Sequence, residues 1–138
     1  MPLVVDASVA LAWALPDESS AYADAVLATV ERDRLRVPDL WAREVANGLA
    51  VAYLRKRITS ADESAFLAAL SHLSIDVEDA TSALTVVRDG TAAAMRYGLT
   101  AYDAAYLDLA SREKLPLATL DKAMRKAAER SGITIFGL

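Results

Sequence analysis

Apolar runs of strand length alternate along this chain with longer stretches in which apolar residues recur at helical spacing. That alternation predicts an α/β fold around a parallel sheet. Leu3-Val4-Val5 reads as a first, buried strand, and a short helix follows from about Ser8 to Leu15, stopped by Pro16. Ser19 or Ser20 can cap a second helix to about Asp33, and Leu35-Arg36-Val37 is a second strand ended by Pro38. Asp39 caps a third helix to about Arg57, with Trp41, Val45, Leu49 and Ala52 on one face. Thr59 or Ser60 starts the next helix, with Glu63 completing a Ser-x-x-Glu capping box. Leu73 to Val77 is a third strand. A long helical stretch from about Asp79 to Tyr97, weakened at Asp89-Gly90, ends at Gly98. Thr100 caps a helix to about Lys114, and Leu117-Ala118-Thr119 is a fourth strand. The helix after Asp121 ends at Gly132, and Thr134-Ile135-Phe136 is a final short strand.

Composition removes several chemistries. The 138 residues suit one domain over the whole chain, and 54% hydrophobic with 25% charged residues suits a soluble globule. The lack of cysteine excludes a disulfide scaffold, a thiolate metal site and a cysteine nucleophile, and fits a reducing cytoplasm. The apolar opening carries Asp6 in its middle and has no basic n-region, so it does not read as a signal peptide. No run approaches the ~20 apolar residues a membrane span needs. His72 is the one histidine, which leaves no pair for a zinc site or a histidine-based triad. Carboxylates are left as the main candidates for chemistry.

Four of them fall at telling places. Asp6 ends the first strand, Glu44 lies early in the helix after the second, Asp103 is in the first turn of the helix capped by Thr100, and Asp121 follows the fourth strand by two residues. In an open parallel sheet the strand ends of one polarity share one edge, where ligand sites gather. Crowded like charges raise one another's pKa values, and divalent cations remove that cost. All-oxygen ligands suit Mg²⁺ or Mn²⁺, and two such ions ~4 Å apart can activate water against a phosphodiester. The net charge of -4 argues against a nucleic-acid binder, but 19 acidic residues less these four leaves 15, matching the 15 Lys and Arg.

Each residue also has a plainer account. Asp121 alone suits a helix cap, Asp6 a turn, Glu44 a solvated helix position and Asp103 the helix dipole. Ser8 can bond a ligand carboxylate or phosphate, or cap the first helix; Thr119 can orient Asp121 or merely fill a strand. Asn47 shares the face of Glu44 or is solvated, while Tyr102 and Tyr106 suit core packing. Asp108 should point away from Asp103. Arg43, Arg55-Lys56-Arg57, Arg96, Lys122, Arg125, Lys126 and Arg130 are candidates for a nucleic-acid backbone or a solvated face, the group after Asp121 being best placed. Trp13 and Trp41 suit a core or an interface.

Val4-Val5-Asp6-Ala7-Ser8, Pro38 followed by Glu44, Thr100-Ala101-Tyr102-Asp103-Ala104-Ala105-Tyr106 and Thr119-Leu120-Asp121, in this order and spacing, resemble the PIN-domain family, and within it the VapC-type toxins. The resemblance covers essentially the whole chain. It implies a three-layer α/β/α sandwich with a central parallel sheet of four to five strands, and a Mg²⁺- or Mn²⁺-dependent endoribonuclease. It also implies a homodimer and inhibition by a VapB-type antitoxin. Such toxins typically cut structured RNA, often tRNA or ribosomal RNA. Carried over, Asp6, Glu44, Asp103 and Asp121 become metal ligands for two-metal hydrolysis that leaves 5′-phosphate and 3′-hydroxyl ends. Ser8 and Thr119 match supporting positions. The opening segment, with Val9, Leu11, Trp13 and Leu15, would form part of an antitoxin groove unless it is simply core. The competing readings are a non-catalytic PIN-fold module that binds RNA or a partner, and a DNA-directed nuclease. A phosphoacceptor receiver domain is disfavoured because Asp76 and Lys122 are poorly placed. A haloacid-dehalogenase phosphatase would want Asp where Ser8 stands.

Overall fold

The structure, a computed structural model, describes residues 1–137. Four strands, β1 (Leu3–Val5), β2 (Leu35–Val37), β3 (Ile75–Val77) and β4 (Leu117–Ala118), pair in the order β3-β2-β1-β4. Every pairing is parallel, with Leu3 opposite Leu35, Val4 opposite Leu117 and Arg36 opposite Asp76. The expected fifth strand shrinks to one bridge, Leu117 with Ile135. The helices are α1 (Ala7–Ala14), α2 (Ala21–Val30), α3 (Leu40–Leu54), α4 (Ser60–Ser71), α5 (Ala83–Tyr97), α6 (Ala101–Glu113) and α7 (Lys122–Arg130), with a 3-10 turn at Pro16–Glu18.

This strand order settles the layers. From β1 the chain moves to β2 and then β3 in one direction, then jumps back past β1 to β4. Crossovers between parallel strands are right-handed, so reversing direction reverses the face on which the connecting helices lie. Helices α1 to α4 therefore form one layer, gathered around α1, and α5 to α7 the other, with α6 on β1 and β4. The parallel sheet is as the sequence pattern predicts, and the three-layer sandwich as the family resemblance implies. The reversal occurs between β1 and β4, and the crevice beyond their carboxyl ends is the switch point at which such sheets bind ligands.

β1 is buried on both faces, as expected of a continuous apolar run at the centre of a parallel sheet. Around it Leu35, Val37, Val9, Val26, Leu107, Leu109, Leu117 and Met124 are almost wholly removed from water. Gly48 marks the closest approach of α3 to α1, because a Cβ there would collide with the Leu11 side chain. That contact lies one helical turn beyond Glu44, so it helps set how near Glu44 stands to the start of α1.

Several local details depart from expectation. Asp6, not Ser8, caps α1, accepting from the Ser8 and Val9 amides. Asp39 occupies the cap of α3 in helical backbone and makes no side-chain cap bond. Thr59 forms its capping box with Asp62 rather than Glu63, because a threonine cap places the third helical residue at 62. Helix α5 starts at Ala83 with a Ser82 cap and runs unbroken through Asp89-Gly90, where Gly90 costs helix propensity without ending the helix. Gly98 ends it with a left-handed φ of 67°.

Candidate active site

Among the described residues, Asp6 and Thr119 are the two polar or charged residues that are fully buried, and they are bonded to each other across the switch point. Asp6 leaves the end of β1 and Thr119 the end of β4. The Thr119 hydroxyl donates to Asp6 Oδ2 and accepts from the Asp121 amide at 3.1 Å. One hydroxyl thus ties two of the four acids to a common point. On the other side of Asp6, Oδ1 accepts from the Ser8 amide at 2.6 Å, the Ser8 hydroxyl at 2.5 Å and the Val9 amide at 3.3 Å. Oδ1 is therefore saturated, whereas Oδ2 takes one bond and keeps a lone-pair site for a cation.

Glu44, half-buried on α3, receives the Tyr106 hydroxyl on Oε1 at 2.6 Å. Asp103 sits in the first turn of α6, where Thr100 caps the helix by accepting from the Asp103 amide at 3.2 Å. Asp121 caps α7, its Oδ1 accepting from Met124 N at 2.9 Å, and is otherwise exposed. It is thus both a helix cap and a member of the edge cluster.

Electrostatics shows the four acids as neighbours. Burial raises the Asp6 pKa against the lowering effect of its hydrogen bonds. Burial also raises Glu44, with Asp6 and Asp103 adding to the rise and Tyr106 opposing it. Asp103 is raised by burial, then by Asp121 and Asp6, with Thr100 opposing. None of the ion pairs among the described residues involves any of the four.

The cluster is not a closed cage: among the described residues, no three His, Cys, Asp or Glu side chains stand ready to grip one ion. The donor set still fits a hard divalent cation. It is all oxygen, carries four formal negative charges and contains acids whose charged state the fold itself penalises.

Tyr106 lies where the sequence places it, with one role that the spacing alone did not assign. It is core, at 1% exposure, but its hydroxyl reaches a candidate ligand; Tyr102, expected in the core, is 65% exposed. Spacing held the clue, since Tyr106 follows Asp103 by three residues and shares its face. Burial first, then the Glu44 and Asp6 charges, push the Tyr106 hydroxyl far above its usual range, so it remains a donor. Arg125 was expected among RNA contacts; instead its Nε donates to the Thr119 carbonyl at 2.8 Å and its guanidinium lies 4.7 Å over the Tyr22 ring. Arg57 is likewise engaged, with Asp17 at 2.9 Å and Glu18 at 3.6 Å. Asn47, Arg43, Arg55, Lys56, Arg96, Lys122, Lys126 and Arg130 are exposed. Asp108 points away from the cluster, to Arg112 at 2.8 Å. Val9 and Leu15 are core; Trp13, its indole N–H bonded to the Ala23 carbonyl at 2.8 Å, lines a groove with Leu27, Phe66, Leu70 and Leu73. Trp41 is buried in the core.

A parallel sheet in this order, with acids from β1, α3, α6 and α7 gathered at its switch point, is the architecture of a PIN domain. The family model described as "PIN domain" matches residues 3–130, and the chain belongs to that family. Its likeness to a curated member is with the VapC type: it is 34% identical over 124 residues to Ribonuclease VapC3 of Pyrobaculum aerophilum, a match spanning 90% of this chain and 92% of that protein. Among solved structures it is similar to the crystal structure of PAE2754 from Pyrobaculum aerophilum, with a TM-score of 0.67 and 25% identity, covering 92% of this chain and 79% of that one. No helix among the described residues is long and apolar enough to cross a membrane.

Proposed function

We propose that this chain, one PIN domain over residues 1–138, is a Mg²⁺- or Mn²⁺-dependent endoribonuclease, the toxin of a VapBC-type pair acting in the cytoplasm. The observation that carries the reading is the switch-point cluster of four acids, none in an ion pair among the described residues, in a chain similar over nine-tenths of its length to a VapC ribonuclease. Asp6, Glu44, Asp103 and Asp121 are the ligand set. These four carboxylates would hold divalent ions, which would supply charge neutralisation and Lewis-acid activation of water toward the phosphodiester. Ser8 and Thr119 hold the Asp6 carboxylate from opposite sides, so its orientation does not depend on the ion. No side chain need act as a covalent nucleophile; the chain binds and orients, and water does the cutting, leaving 5′-phosphate and 3′-hydroxyl ends.

Surfaces suited to the partners accompany the site. The groove between α1, α2 and α4, of about 240 Å³ and lined by Trp13, Leu27, Phe66 and Leu70, suits an apolar segment of a VapB-type antitoxin. Leu84, Val87 and Met95 on α5 and Tyr102 on α6 are exposed apolar residues suited to a second copy in a homodimer.

The test is cleavage of cellular RNA by the purified chain with Mn²⁺ or Mg²⁺, with the new ends mapped and single-stranded DNA run in parallel. RNA fragments with 5′-phosphates, absent with chelator and absent for Asp6→Asn, are expected. Cutting of DNA alone would point to the DNA-directed alternative. Wild-type rates from both Asp6→Asn and Asp103→Asn would remove the assignment.

A further inference from the structure

We propose that Tyr106 is a positioning residue, whose buried hydroxyl holds Glu44 in the orientation that takes a cation and so fastens α3 to α6 across the switch point. The proposal rests on the reading of Glu44 as a metal ligand. Its ground is geometric. The two residues are 62 apart in sequence, yet Tyr106 Oη lies 2.6 Å from Glu44 Oε1. Helix α3 packs chiefly on α1, while α6 packs on α5, α7, β1 and β4, so the two helices share no extended interface. The hydrogen bond links the layers at the point where their acids meet.

The division of flexibility makes Tyr106 the fixed partner. Its ring is locked in the core at 1% exposure, and two torsions set where the hydroxyl points. Glu44 is half-buried and has three torsions to settle, with Asp6 and Asp103 repelling it. Left alone, the carboxylate would swing toward water. The tyrosine hydroxyl holds Oε1 against that tendency, and Oε2 accepts no hydrogen bond among the described residues. Core packing explains the ring but not the hydroxyl, since phenylalanine would fill the same volume.

The experiment is Mn²⁺ titration, followed by the electron paramagnetic resonance signal of unbound ion, on four full-length proteins: wild type, Tyr106→Phe, Glu44→Gln and the double variant. Circular dichroism checks that each is folded. Tyr106→Phe should weaken Mn²⁺ binding by about 10-fold, the scale of losing an outer partner of a metal ligand. In the Glu44→Gln background the same change should cost almost nothing, because the hydroxyl acts only through the carboxylate. A merely structural tyrosine would show the same factor in both backgrounds, and that outcome overturns the proposal. So does wild-type affinity in Tyr106→Phe when Glu44→Gln binds weakly. If Glu44→Gln itself binds Mn²⁺ like wild type, the ligand assignment of Glu44 falls, and the role of Tyr106 falls with it.

Discussion

Helix α6 carries an acid near each end, and the two are treated in opposite ways. Glu113, in its last turn, is gripped by Arg36 through Nε at 3.0 Å and Nη2 at 2.9 Å, and this pairing lowers its pKa. Nearby, Arg112 bonds Glu78 and Asp108, each at 2.8 Å, and Arg34 bonds Asp76 at 2.8 Å. Asp103, in the first turn, has acids rather than arginines around it, and its pKa is raised by burial, Asp121 and Asp6. The helix dipole would produce the reverse, favouring negative charge at Asp103 and opposing it at Glu113. Its ~0.3–1 kcal/mol at an exposed end is outweighed at both ends by the immediate neighbours. A chain with 15 basic side chains supplies cations along the β2–β3 flank, while none of the ion pairs among the described residues reaches the four acids at the switch point. One flank pairs its acids with arginines, and the other leaves its acids facing one another.

The contrast breaks most visibly in activity. Asp103→Asn should reduce RNA cleavage by more than the ~10–100-fold typical of losing an outer partner of a ligand. Glu113→Gln, at the far end of the same helix, should leave the cleavage rate within about twofold, since surface pairs contribute only ~0–1 kcal/mol to stability and nothing to the site. Equal losses in the two variants would erase the distinction.

Metal linkage should come next. With free Mn²⁺ at 100 times its Kd, the folded state gains about 2.7 kcal/mol, seen as a rise in melting temperature. The rise should persist in Glu113→Gln and shrink or vanish in Asp6→Asn. A melting curve indifferent to Mn²⁺ would mean that the edge acids bind no ion.

Thr119→Val tests the tie between Asp6 and Asp121 at nearly constant volume. Loss of the shared hydroxyl should lower cleavage by about 10-fold while the protein stays folded by circular dichroism. Unchanged cleavage would make the Thr119 hydroxyl incidental.

The pH dependence of stability should be the smallest and most diagnostic effect. Glu113 has a lowered folded pKa, so its contribution is present above its unfolded value of 4.5 and is lost as pH falls through the folded one. Asp6, Glu44 and Asp103 have raised folded pKa values. Their contribution is present below the unfolded values of 3.8 for the aspartates and 4.5 for the glutamate, and is lost as pH rises through the folded ones. Metal-free protein should thus lose stability from these three groups as pH climbs out of the acid range, and Mn²⁺ should cancel that loss. Parallel pH profiles of melting temperature with and without Mn²⁺ would contradict the contrast between the two ends of α6.

Much of this was legible in the chain because it is local. Pro16 ending α1, Ser20 and Thr100 capping their helices and Gly98 closing α5 all depend on neighbours within a turn. The positions of Asp6, Glu44, Asp103 and Asp121 relative to their strands and helices were readable for the same reason. Legibility failed where residues had two duties. Tyr106 reads as core and is core, yet its last atom serves Glu44, and Arg125 reads as a surface cation while it props the Thr119 carbonyl.

The sequence by itself determined the periods, the caps and the order of elements, because propensity and patterning act over a few residues. Only the tertiary structure decided which acids face arginine and which face one another. That choice follows from the strand order β3-β2-β1-β4 and the reversal of crossover direction beside β1, which brings the ends of β1 and β4 together across more than a hundred residues of chain. Charge interactions depend on distance in space, and no local pattern encodes that distance.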